Sequence, residues 1–194
     1  MKKLLPKLTG SEIITYKGKL IEVVEQKMKV GNKEFTIEFA RRSPGTRLII
    51  LSPDNKILLT NEYRTDIMDW DTKLPGGKVV DSLDEYNKLI EKNKALLEMA
   101  EEGARKEALE ETGLVVDQMK HFATSRCGVT IVWDLYYFIV TKYHKHPDGQ
   151  KLELGENIKL KWVSFKEAKA MCLNGKIQED RSAAILLRFL SQSS

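Results

Sequence analysis

The chain has 194 residues, 42% hydrophobic and 31% charged, with a formal net charge of +4 at pH 7. That length suits one well-packed domain with a small appendage. The modest positive charge fits a polyanionic small molecule, and the even spread of Lys and Arg argues against a nucleic-acid footprint.

No apolar run approaches the ~20 residues of a membrane span, and the Met1–Pro6 start has no cleavage site. A cytoplasmic protein without nucleic-acid or membrane partners is therefore expected. Cys127 and Cys172 lack CxxC or metal spacing. They read as free thiols in a reducing compartment.

In chain order, residues 11–40 alternate with period two. Ile13–Tyr16, Leu20–Val30 and Glu34–Ala40 predict a three-stranded antiparallel meander with turns at Lys17-Gly18 and Gly31-Asn32. A unit of this length is marginal alone and needs a surface to pack on. Ser43-Pro44-Gly45 marks its boundary. Strands are expected at 47–51 and 57–64, then a loop over Asp66–Asp71. Leu74-Pro75-Gly76-Gly77 leads into a helix, with Asp81 or Ser82 as N-cap and Asp84 and Glu85 in its first turn.

The helical pattern runs to Thr112, as one helix or two segments, with Asn93 and Gly103 as candidate breaks. Its apolar stripe takes in Leu83, Tyr86, Leu89, Ile90, Leu96, Leu97, Ala100, Ala104 and Ala108. Strands follow near Met119–Thr124 and Trp133–Tyr143. Next come a loop at 144–150 and a strand at 158–164. Helices are expected at 165–173, with Ser164 as N-cap and Glu167 in capping-box position, and at 178–190. Residues 191–194 form a frayed tail. Strands interleaved with helices give an α/β domain with a mixed sheet between helices.

The stripe ends in acids. Glu107, Glu110 and Glu111 stand at i, i+3 and i+4 and share an arc of about 100° on the side of Ala104 and Ala108. Buried carboxylates are costly unless paired or bound to metal, and a hard cation such as Mg²⁺ takes oxygen ligands. Gly113 supplies the helix stop.

Lys106-Glu107-Ala108-Leu109-Glu110-Glu111-Thr112-Gly113-Leu114 resembles the second half of the Nudix hydrolase signature, with Lys106 in place of its Arg. Leu74-Pro75-Gly76-Gly77 resembles its opening loop. Glu98 falls where the signature has its first Glu, after an insertion of roughly fifteen residues. The resemblance implies a Nudix-type α/β/α sandwich over 45–194, with a helical insertion at about 81–97. It also implies Mg²⁺, with Mn²⁺ as substitute, held by Glu107, Glu111, Glu110 and a carbonyl of Gly76 or Gly77. Lys supplies the charge of the family's Arg without its fork. An unbroken helix would put Glu98 and Glu107 on opposite faces, so Glu98 reads equally as an exposed acid.

Glu62-Tyr63-Arg64, the segment Glu156–Val163 and the stretch Lys176–Leu187 are similar to parts of the ADP-ribose pyrophosphatase group within that family. Pro-Gly-Gly and Lys73 depart from that group's Pro-Ala-Gly and Glu. This narrower resemblance implies hydrolysis of a nucleoside diphosphate linked to another group, with ADP-ribose or a nucleotide sugar first. It also implies a homodimer in which the meander at 1–44 helps build the substrate pocket. Dinucleoside polyphosphates or NADH are alternative substrates, and a binding module without catalysis or a helical interaction protein are alternative classes.

The general base is expected in the loop that carries Glu153 and Glu156, with Glu156 favoured. Arg64 is the leading phosphate-gripping candidate, with a structural ion pair as the equal alternative. Arg41 and Arg42 are further candidates, and adjacent strand residues face opposite sides. Arg126 borders a glycine loop. Trp133 and Trp70 are candidates for stacking on a base. His121, His144 and His146 have no metal-binding companions in sequence.

Overall fold

The computed structural model describes residues 4–91 and 95–192. Asn93, one of the two candidate helix breaks, lies outside the described residues, as do Ser193, Ser194 and the side chain of Ile90. Two units are recognised, one formed by Met1–Pro44, Val80–Lys94 and Arg126–Asp134, the other by Gly45–Val79, Ala95–Ser125 and Leu135–Ser194.

The first unit holds β1 (Lys7–Leu8), β2 (Ile13–Lys17), β3 (Ile21–Val30), β4 (Lys33–Arg42), β9 (Ile131–Val132) and helix α1 (Leu83–Glu91). Its spine is the β3–β4 hairpin, whose register runs from Ile21↔Arg42 to Val30↔Lys33 around a two-residue Gly31-Asn32 turn. Gly31 adopts φ 59°, a conformation that favours glycine. β1 and β2 pair with β3, and β9 runs parallel to β4. Alternation along β3 buries Glu22, Val24 and Gln26. Glu22 tolerates burial because its register partner Arg41 donates from Nε to Oε1 at 2.7 Å. Ser82 caps α1, accepting from the Glu85 amide at 3.2 Å.

The second unit contains two three-stranded sheets. β5 (Gly45–Ile50), β10 (Leu135–Lys145) and β8 (Leu114–Ser125) form a mixed sheet, with β10 parallel to β5 and antiparallel to β8. β11 (Ile158–Ser164), β6 (Lys56–Arg64) and β7 (Asp69–Lys73) form an antiparallel one. The expected mixed sheet is present, and the antiparallel sheet beside it was not separable by periodicity. Leu48, Ile49, Leu58, Leu59, Tyr137 and Phe138 are fully buried, each such aliphatic side chain contributing roughly 1.5–3 kcal/mol. α2 (Leu96–Thr112) packs on β5, β8 and β10. α3 (Phe165–Leu173) packs on β6, β11 and α4 (Asp180–Gln192). Ser164 caps α3 by accepting from the Glu167 amide. No described helix is long and apolar enough to cross a membrane.

Three local expectations change. The loop over Asp66–Asp71 becomes strand from Asp69, because Glu62↔Asp71 and Tyr63↔Trp70 pair across the β6–β7 hairpin. The long helical pattern takes the second of its two expected forms, two helices. Gly103 is not a break: it is buried inside α2, where an added Cβ would stand 3.0 Å from the Val79 Cα. Leu97 of the predicted stripe is exposed, and Met99 takes a core position instead.

Candidate active site

Beyond Met99, the middle of the buried face of α2 is small: Ala100, Gly103, Ala104 and Ala108. Small side chains let the helix approach the segment at 74–79 closely. That approach brings the last turn of α2 onto the Pro75-Gly76-Gly77 loop. Glu111 Oε2 accepts from the Gly76 amide at 2.6 Å. An added Cβ on Gly77 would lie 2.2 Å from Glu107 Oε1. Gly76 has φ 138°, and a Cβ there would lie 2.2 Å from the Thr46 carbonyl oxygen. The first half of the loop therefore requires glycine for its backbone, the second for room beside a carboxylate.

Burial dominates the electrostatics. It pushes Glu107 up to about 8, helped by repulsion from Glu111 and Glu110, against the Lys106 charge and the Lys78 amide. Burial pushes Glu111 up to about 7, opposed by Lys73, the Gly76 amide and Arg47. Glu110 is half-buried, with an oxygen 3.9 Å from Lys106 Nζ at i−4. Glu98 is exposed, in line with the plain surface reading of that residue.

Four residues that sequence reasoning did not assign complete the surroundings. Lys73 pairs with Glu62 and has Nζ 4.0 Å from Glu111 Oε1. Arg47 is buried and forks onto Glu179, at 2.9 Å from Nε and 2.8 Å from the terminal nitrogen. Glu179 also accepts from Ser182, and Arg47 with these bonds holds its carboxyl below the usual range despite burial. Strand alternation puts Glu62 and Lys73 on one face and was a usable signal. Nothing local connects Arg47 with Glu179.

The donors fit a hard divalent cation. They are oxygen-only, and two of them are carboxylates that burial would otherwise protonate near neutral pH. Asp71 Oδ1 is also buried without a hydrogen-bond partner. Among the described residues no three His, Cys, Asp or Glu side chains close around one point. Hard cations such as Mg²⁺ keep several waters and take further oxygens from substrate phosphates.

The loop after β10 is tied to the same helix end. Lys151 N donates to the Glu110 carbonyl at 2.9 Å, and Gln150 Nε2 donates to the Glu111 carbonyl at 2.5 Å. Further along, Glu156 is half-buried and its Oε2 accepts from the Glu153 amide at 2.8 Å, while Glu153 is exposed. A cleft of about 580 Å³ opens beside Thr112, Gly113 and Gln150 and is walled by Tyr143 and Trp162; none of the three acids lines it.

Arg64, in the same unit, forks onto Asp66 at 2.9 and 2.8 Å on an exposed hairpin. Arg41, Arg42, Arg126 and Trp133 all belong to the first unit. There Arg41 binds Glu22 and Glu12, Arg42 lies with its guanidinium 4.4 Å from the Trp133 ring centroid, and Arg126 is exposed. The three histidines bond Thr124, Asp117 and the Asp148 amide.

Comparison with known proteins bears on this geometry. A curated GDP-mannose pyrophosphatase of Enterobacter sp. (strain 638) is 28% identical over 179 residues, covering 89% of this chain and 81% of that protein. A crystal structure described as an ADP compounds hydrolase superposes with TM-score 0.71 at 13% identity, over 100% of this chain and 96% of that one, and shows the shared fold. The family model of the NUDIX domain matches residues 41–184. That match extends from the end of β4 into α4, well over half of the sequence, and the chain therefore belongs to the Nudix family of hydrolases.

Proposed function

We propose that the protein hydrolyses the pyrophosphate bond of a nucleoside diphosphate linked to another group, ADP-ribose or a nucleotide sugar first, giving a nucleoside monophosphate and a sugar phosphate. The observation that carries this reading is the carboxylate pair of half-buried Glu107 and buried Glu111, pressed against Gly77 and Gly76. The relative named as a GDP-mannose pyrophosphatase supports the substrate class. Nudix hydrolases generally use a divalent metal, and Mg²⁺, with Mn²⁺ as substitute, is proposed here. Glu107, Glu111, Glu110 and the Gly76 carbonyl would hold it.

A bound divalent cation would neutralise the pyrophosphate and lower the pKa of a coordinated water. The chain's own residues do the rest. The Gly76 amide and Lys73 fix the Glu111 carboxylate. Glu156, or its neighbour Glu153, accepts the proton of the attacking water as general base. Arg64 exchanges Asp66 for a substrate phosphate. Arg41, Arg42, Arg126 and Trp133 are proposed to contact the nucleotide.

The protein is further proposed to be a cytoplasmic homodimer, with the 1–44 meander as its dimerisation arm. Ile13, Ile14, Tyr16, Phe35 and Ile37 of that meander are exposed. Of these, Ile14, Phe35 and Ile37 stand at register positions of one sheet face, and exposed apolar side chains sharing a face favour a partner surface. The test is a panel of nucleoside diphosphate derivatives with Mg²⁺, scored for phosphate-monoester products. Turnover of a nucleotide sugar or ADP-ribose is expected. No turnover of any member by the wild type overturns the reading.

A further inference from the structure

The β11–β6–β7 sheet has two faces of opposite character. Thr60 pairs with Lys73 and Glu62 with Asp71, which sets these four residues on one face, with Lys73 reaching Glu111. Asn61 pairs with Thr72 and with Lys159, and Tyr63 with Trp70, which sets those on the other. On that second face lies a cavity of about 590 Å³, lined among others by Asn61, Trp70, Thr72, Lys159, Lys161 and Lys176. Its volume is that of a small-molecule site.

The charge in it is one-sided. Three lysines line the cavity and no acidic residue does. Lys161 is neutralised by Glu167 at 2.7 Å. Lys159 and Lys176 have no ion pair among the described residues. Lys159 Nζ lies 4.1 Å from the Trp70 ring centroid. Trp70 is itself oriented by the edge of Tyr63, at 5.7 Å and 74°. The Thr72 hydroxyl donates to Asn61 Oδ1 at 3.0 Å, which leaves the Asn61 amide hydrogens available inside the cavity.

We propose that this cavity is a second site, on the opposite face of the sheet from the acids, and that it binds a nucleoside monophosphate without turning it over. Lys159 and Lys176 meet the phosphoryl group as point charges. The planar base lies against Trp70, taking the place the Lys159 ammonium leaves as it swings to the phosphoryl group. Asn61 supplies a hydrogen-bond donor. The site requires no metal, and it goes beyond the pyrophosphatase reading without depending on it.

The experiment is calorimetric titration of the full-length protein, with Mg²⁺ present, by AMP, GMP, inorganic phosphate and the free nucleosides. Wild type is compared with Lys159→Glu/Lys176→Glu, Trp70→Ala and Glu111→Gln. Unchanged thermal unfolding shows that each variant is folded. Nucleoside monophosphate binding is expected to weaken by at least about tenfold in the double lysine variant, with steady-state kinetics on the best panel substrate unchanged. Trp70→Ala is expected to weaken nucleoside monophosphates and leave inorganic phosphate unaffected. Glu111→Gln is expected to keep the affinity, which separates this site from the acids. Absence of nucleotide binding at millimolar concentration, unchanged affinity in both pocket variants, or loss of binding in Glu111→Gln overturns the proposal.

Discussion

Two pairs of carboxylates in the same unit live under opposite conditions. Glu107 and Glu111 sit beneath a glycine loop, and burial drives them up to about 8 and about 7. Glu153 and Glu156 sit in a turn that Glu156 caps by accepting from the Glu153 amide. The first pair is fixed by tertiary contacts and is costly to charge. The second pair lies nearer water, Glu153 exposed and Glu156 half-buried. The difference is the one that separates a site for a fixed cation from a water-accessible carboxylate, the contrast on which the proposed roles rest.

The largest effect should come from Glu111→Gln. Its amide oxygen keeps the Gly76 hydrogen bond but loses the charge. A fall in kcat of about 10³-fold or more, near 4 kcal/mol, is expected with the unfolding midpoint preserved. A variant that retains wild-type kcat refutes the site.

Lys73→Met should follow. It leaves half-buried Glu62 without its cationic partner, costing at most about 3 kcal/mol in chemical denaturation of metal-free protein. It also removes a positive charge 4.0 Å from Glu111, so calorimetric Mn²⁺ affinity should rise.

Glu156→Gln and Glu153→Gln compare the loop acids directly. A loss of about 10²-fold in kcat for the first and under about tenfold for the second is expected if Glu156 is the base. The reverse order would assign the base to Glu153.

A smaller effect concerns pH. The folded-state values of Glu107 and Glu111 lie above the ordinary 4.5. The folded protein therefore binds more protons than the unfolded chain between about pH 4.5 and about 8, and metal-free stability falls as pH rises through that window. The midpoint in EDTA should drop by at least about 2–4 °C from pH 5 to pH 8. Glu107→Gln/Glu111→Gln should abolish the drop. A divalent cation should offset it at the upper end.

The smallest effect should be that of Lys106→Ala. Lys106 is half exposed and 3.9 Å from Glu110. An i,i+4 pair of this kind contributes about 0.3–0.5 kcal/mol, so kcat should change by less than about threefold. A far larger loss would give Lys106 the role of the Arg it replaces.

Much of this was legible in the sequence because the signals are local. Period-two alternation marked Ile13–Tyr16, Leu20–Val30 and Glu34–Ala40, within a residue or two of the strands at Ile13–Lys17, Ile21–Val30 and Lys33–Arg42, and the Ser164 cap marked the start of α3. The spacing of Glu107 and Glu111, with Gly113 as the stop in φ 67°, follows from one helix and its C-cap. β7 was missed because Asp69–Lys73 has no apolar alternation; its pairing with β6 makes it a strand. Gly103 shows the same limit, since a glycine that weakens a helix by propensity here lets it approach Val79.

By itself, then, the sequence determined the acids, their shared face, the glycine loop and the family they resemble, because helix and strand periods are set by the nearest few residues. Tertiary structure alone decided that Gly76 donates to Glu111 across 35 positions and that Arg47 meets Glu179 across 132. It also put a pocket of lysines behind the sheet that carries Lys73. Burial and pairing at such separations depend on how whole elements pack, and no local pattern encodes them.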